Sequence, residues 1–140
     1  MSRVNRMKLE LEAKSQNESF ARSVVASFFT QLNPTLEQIE DLKTAVSEAV
    51  TNCIVHAYEG KQQGKIDIEC ALDDEGYIGV VIRDYGKGIP DVKQAMRPFY
   101  TTGNEGERSG MGFTVMQAFC DKVNVTSSAG ETSVTLTKKV

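Results

Sequence analysis

From Met7 the chain alternates apolar and polar positions: Met7, Leu9, Leu11 and Ala13 are interleaved with Lys8, Glu10, Glu12 and Lys14. A period of two is that of a strand with one buried face. The spacing then lengthens. Phe20, Val24, Phe28 and Leu32 recur at every fourth position, with Ala21 and Val25 beside them, and predict a helix with that stripe in the core. Asn33-Pro34 ends it, because the residue before a proline is driven out of helical conformation. Thr35 followed by Gln38 has the spacing of a capping box, in which two side chains satisfy N–H groups that a helix start leaves open. The core stripe of this second helix is Ile39, Leu42, Val46, Ala49, Val50, Cys53 and Ala57, and the helix is expected to run to about His56.

Period-two alternation returns in KIDIECAL and YIGVVIRD, joined by DDEG, which together predict an antiparallel hairpin at the centre of a sheet. From Tyr85 to Gly112 the chain is polar and rich in glycine, with a short helix expected over Val92 to Met96. So long a loop suggests function. Phe113 to Cys120 has the pattern of a third long helix, and KVNVTSS and TSVTLTK across Ala129-Gly130 predict a closing hairpin. The elements sum to an α/β two-layer sandwich, a mixed, mostly antiparallel sheet with helices on one face.

The 140 residues, 40% hydrophobic and 25% charged, fit one domain, 1–140, with its own core. A net charge of −3 with scattered Lys and Arg gives no footprint for a polyanion, so direct nucleic-acid binding is not expected. Cys53, Cys70 and Cys120 are odd in number, far apart and set in apolar patterns, which fits reduced core thiols and a cytoplasmic location. No apolar leader or membrane-length run is present in the sequence, so neither export nor insertion is expected.

Three constellations carry candidate chemistry. Glu48, Asn52 and His56, the chain's one histidine, stand at four-residue intervals and form a slowly winding row beside the core stripe of the second helix. They are either boundary polar residues or oxygen ligands for a hard cation with Glu48 available as a base. Asp84 continues the inward register of Ile78, Val80 and Ile82, and Gly86 and Gly88 follow it. It either caps a strand-end turn or meets a ligand, and a carboxylate in a buried register favours the ligand. Gly110 and Gly112 open the third helix, where free N–H groups and the positive dipole end can cradle phosphate; the plain alternative is a glycine-containing helix start. The P-loop pattern is absent, since GKQQGK has neither its spacing nor its hydroxyl, and no G-x-G-x-x-G follows the first strand.

In order, SEAVTNCIVHAY, RDYGKGIP and ERSGMGFTVM resemble the N, G1 and G2 boxes of the Bergerat-fold (GHKL) ATP-binding superfamily, and among its stand-alone members the anti-sigma serine kinases of spore-forming bacteria. The resemblance covers essentially the whole chain. It implies ATP and Mg2+ as ligands, with Asn52 on the metal and Glu48 as the base toward an incoming hydroxyl. It implies that Asp84 accepts from the adenine amine, that Gly86 and Gly88 line the base, and that Thr132 reaches it, Ser133 being the alternative. Arg108, Ser109, Gly110, Met111 and Gly112 become lid and phosphate cradle, with Thr101 and Thr102 as weaker candidates; His56 is structural. Two positions depart from the pattern: Cys53 stands where a small Ala is usual, and AGETSV is one residue longer than the usual turn. The resemblance further implies a homodimer that inhibits a sporulation sigma factor and phosphorylates a serine of an anti-anti-sigma protein. A stress-response kinase, a sigma-sequestering module without kinase activity and a hydrolytic ATPase are the competing classes.

Overall fold

The computed structural model describes residues 3–58, 64–89, 91–96 and 112–140. Five strands, β1 (Arg3–Glu12), β2 (Lys65–Asp73), β3 (Tyr77–Asp84), β4 (Lys122–Ser128) and β5 (Glu131–Lys139), form one sheet of order β1-β2-β3-β5-β4. Every pairing is antiparallel, so the mixed sheet left open by the sequence is an antiparallel one. Helices α1 (Gln16–Phe29), α2 (Leu36–Asn52), the short α3 (Val92–Ala95) and α4 (Gly112–Phe119) complete the α/β sandwich. β1 begins four residues before the alternation does, with a bulge between Arg3 and Asn5, because its early residues are held by pairing with the end of β2.

The register explains where the core sits. Residues opposite each other on antiparallel strands share a face, so the inward positions form rows across the sheet. One row is Leu9, Ile68, Ile82, Val134 and Val125, and the next is Met7, Cys70, Val80, Leu136 and Val123. Against them pack Phe29, Leu42, Val46, Val50 and Met116, all fully buried. Each such side chain contributes about 1.5–3 kcal/mol relative to exposure. Cys53, Cys70 and Cys120 are unpaired and buried, as expected of core thiols, and burial pushes Cys70 up to about 12 and Cys120 up to about 11.

Two expectations about the helices are corrected and a third is met. In α1 the fully buried line is Ala21, Val25 and Phe29, one position on from the expected stripe, and Phe20 is 51% exposed. Ala21 lets the helix approach its neighbours closely, and the larger Phe20 is turned to the rim. In α2 the capping box is present, with Gln38 N–H donating to Thr35 Oγ1 at 3.1 Å and Thr35 N–H to Gln38 Oε1 at 2.8 Å. Its α-helical part stops at Asn52, however, and Cys53–Ala57 form a π-helical turn closed by the Tyr58 N–H on the Cys53 carbonyl at 3.1 Å. The third helix is found as expected, within one residue, as the eight-residue α4, which ends where its last turn meets Lys138: the buried ammonium donates to the Phe119 carbonyl at 2.7 Å.

Candidate functional site

The inward rows are apolar until the last one. There Leu11 and Ile66 are followed by Asp84, Thr132 and Ser127, each opposite the next. Asp84 is 5% exposed and Thr132 4%, so the sheet places a carboxylate and a hydroxyl side by side on its helix-covered face. One carboxylate oxygen accepts the Gly86 N–H at 3.0 Å, and the Cys53 thiol donates to the carboxylate from the π-helical turn. Burial raises the Asp84 pKa; the Gly86 N–H and then the Cys53 thiol oppose the rise, and the Glu131 carboxylate adds to it. The Cys53 thiol is itself pushed well above a free cysteine, by burial first and by the Asp84 charge second. A carboxylate held this way offers an acceptor to a donor arriving from the ligand side, at a polarity that water would otherwise weaken.

The loop after Asp84 is fixed from two sides. On one side the π-helical turn brings the Ala57 carbonyl close enough to accept the Lys87 N–H at 3.2 Å, and a Cβ on Gly86 would collide with that same carbonyl. On the other, Gly88 has φ +82° and lies against the Ser128 carbonyl, where a side chain has neither the backbone conformation nor the space. Ile89 N–H donates to Ser127 Oγ at 2.7 Å. Tyr58 closes the turn: its hydroxyl accepts the Tyr85 N–H and donates to the Lys65 carbonyl, both at 2.7 Å. Tyr58 and Ser127 were not singled out from the sequence, because their roles depend on the π-helical turn and on the hairpin register.

Glu48 and Asn52 are half-buried on α2, at the edge of its buried stripe of Leu42, Ala45, Val46, Ala49 and Val50. His56, also half-buried, lies beyond Asn52 in the π-helical turn, so the four-residue row does not continue as an α-helical row through it. The structure therefore places Glu48 and Asn52 one turn apart near the end of α2, and Cys53 of the next turn against Asp84. Thr132 shares the Asp84 row, whereas Ser133 is turned to the other face and accepts from Arg83 Nε at 3.0 Å. Gly112 is the first residue of α4, which packs on α2. Thr101, Thr102, Arg108, Ser109, Gly110 and Met111 lie outside the described residues. Among the described residues no group of three His, Cys, Asp or Glu side chains could hold a metal ion by itself.

A five-stranded antiparallel sheet under helices, a buried carboxylate followed by close-packed glycines, and polar oxygens on the covering helix define a class. The chain belongs to the histidine kinase-like ATPase domain family, whose model matches residues 11–138. The solved RsbU and RsbW domains of Rv1364c from Mycobacterium tuberculosis share the fold, with a TM-score of 0.71 at 20% identity over 97% of this chain and 32% of that one. A histidine kinase domain from Erythrobacter litoralis does so with a TM-score of 0.57 at 19% identity, over 87% and 60% of the two chains. A narrower likeness lies within the family. The protein of Caldanaerobacter subterraneus subsp. tengcongensis named anti-sigma F factor is 56% identical over 137 residues, covering 97% of this chain and 94% of that one. Proteins of the same name from Clostridium novyi and Priestia megaterium are 54% and 49% identical, over 89% and 96% of this chain and 86% and 92% of theirs.

Proposed function

We propose that the whole chain is a single ATP-binding serine kinase domain that acts as an anti-sigma factor. It binds and inhibits a sporulation sigma factor in the cytoplasm, and transfers the γ-phosphate of ATP to a serine of an anti-anti-sigma protein. The observation that carries the reading is the buried Asp84, one oxygen held by Gly86 N–H, in a chain 56% identical to a protein named anti-sigma F factor. In this reading Asp84 accepts from the adenine amine, Gly86 and Gly88 let the backbone close on the base, and Thr132 meets its edge. Glu48 orients and deprotonates the incoming serine hydroxyl. Arg108, Ser109, Gly110, Met111 and Gly112 cover the phosphates at the start of α4, with Thr101 and Thr102 beside them.

Mg2+ fits the donors available. It favours oxygen, keeps several waters and is held by one or two protein oxygens plus the phosphates of its nucleotide, so a three-residue cage is not required. Asn52 Oδ1 would hold it, and when bound it supplies charge neutralisation on the phosphates. Phosphoryl transfer asks the protein chiefly for positioning and electrostatic stabilisation, which is what a fixed adenine end and a fixed Glu48 provide. A homodimer belongs to the proposal. An open groove of about 390 Å³ between β1 and α1, lined by Met7, Phe20, Val24 and Phe28, is the apolar surface a second copy would cover.

Glu48→Gln and Asn52→Ala separate chemistry from binding. Glu48→Gln is expected to keep Mg-ATP affinity while transfer falls roughly a hundredfold or more, and Asn52→Ala to lose the metal-dependent part of binding. Titration calorimetry with and without Mg2+, beside single-turnover transfer, measures both. Equal loss of binding in the two variants would deny Glu48 its separate role.

A further inference from the structure

Ser127 is the third member of the polar row and, apart from holding the Ile89 N–H, has no part in the nucleotide contacts proposed above. Its Oγ accepts the Ile89 N–H at 2.7 Å, lies 2.8 Å from Thr132 Oγ1 and lies 3.4 Å from the Glu131 carbonyl oxygen. The Ser127 hydroxyl has one proton to give. The 2.8 Å contact with Thr132 Oγ1 can carry the proton of either hydroxyl, whereas the Ser127 proton's other acceptor, the Glu131 carbonyl, is at 3.4 Å, a long hydrogen bond. With Ser127 as the donor, Thr132 accepts from it and keeps its own proton to donate elsewhere.

We infer that Ser127 is a specificity-determining positioning residue: by donating to Thr132 it fixes the Thr132 hydroxyl as a donor beside the acceptor Asp84. The inference rests on the reading of Asp84 and Thr132 as the adenine contacts. An acceptor next to a donor is the complement of the adenine edge, where the N6 amine donates and N1 accepts. Guanine presents the reverse, an acceptor at O6 and a donor at N1, and would face Asp84 with oxygen and Thr132 with N–H. The same Ser127 oxygen, through Ile89 N–H, holds the loop containing Gly86 and Gly88 against the β4–β5 hairpin. The polarity of the base site and the position of its glycine wall thus depend on one hydroxyl.

The test uses the full chain and four nucleotides: ATP, GTP, ADP and 1-deaza-ATP, in which C–H replaces N1. The wild type should prefer ATP to 1-deaza-ATP and to GTP. Ser127→Ala should lower the ATP to 1-deaza-ATP affinity ratio by about five- to tenfold, the effect of one hydrogen bond, while the ATP to ADP ratio stays unchanged. Ser127→Thr, which keeps the hydroxyl, should restore the ratio. Equal weakening of all four nucleotides by Ser127→Ala, or failure of Ser127→Thr to restore, makes the role one of packing and overturns the inference. Asp84→Ala distinguishes the two levels: if it leaves ATP affinity unchanged, the adenine site itself is wrong, whereas if it abolishes ATP preference while Ser127→Ala changes no ratio, the Ser127 inference alone fails.

Discussion

The Asp84 carboxylate is held at a cost. Burial raises its pKa, and two hydrogen-bond donors offset that only in part. A carboxyl whose pKa is higher in the folded than in the unfolded state stabilises the fold fully below its ordinary pKa, and loses that contribution as pH rises through the raised value. Asp84→Asn, which keeps an oxygen for the Gly86 N–H without the charge, should therefore melt higher than wild type at about pH 7, with the gap narrowing as the pH is lowered toward the ordinary carboxylate pKa of about 4. Calorimetric scans across that range measure it, and an Asn variant that melts lower at neutral pH would contradict the stated cost. The sequence showed this residue through its register with Ile78, Val80 and Ile82. Ser127 escaped because its place in the row follows from the exact pairing of β4 with β5, in which Ser128 meets Glu131 across Ala129-Gly130 and Ser127 falls opposite Thr132.

At the scale of elements, the π-helical turn Cys53–Ala57 decides whether the site closes. It carries the Cys53 thiol to Asp84 and the Ala57 carbonyl to the loop of Gly86 and Lys87, and π-helical turns are frequent at functional sites for this kind of re-aiming. Gly86→Ala forces a Cβ into the Ala57 carbonyl, so either the turn or the loop must give. The expected loss is about 1–3 kcal/mol of stability, the usual effect of overfilling a packed site, together with weaker ATP binding. A lower urea midpoint at unchanged slope would show it; an unchanged midpoint would mean that the loop is not held there. The capping box at Thr35 and Gln38, the strands and the hairpins were legible because each follows from local periodicity or spacing. The π-helical turn was not, since an apolar run such as Cys53, Ile54 and Val55 satisfies the α-helical and π-helical patterns alike.

At the scale of the molecule, the one-position difference in α1 has a consequence. Facing Ala21, Val25 and Phe29 to the core leaves Phe20, Val24 and Phe28 along an open groove beside Met7 on β1, which is the edge strand. The sequence marked both lines as apolar, and the choice between them was made by packing against α2, which spacing within α1 does not contain. If a second copy covers this groove, Phe20→Glu should shift the protein from dimer to monomer in sedimentation velocity while leaving its melting temperature within a few degrees, because Phe20 is half-exposed in the single chain. A dimer that persists would place the contact on another face.

In the function proposed, the ATP site serves a serine on another protein. His56 is half-buried in the π-helical turn, a poor place for an exposed phosphoacceptor, whereas Glu48 lies on the helix that carries Asn52 and is the residue proposed to act on the incoming hydroxyl. The direct measurement is to incubate the chain with γ-labelled ATP, Mg2+ and the cognate anti-anti-sigma protein, and to determine where the label resides. The account predicts acid-stable phosphoserine on the partner and no label on this chain. Acid-labile label on His56, or release of free phosphate alone with the partner present, would contradict it.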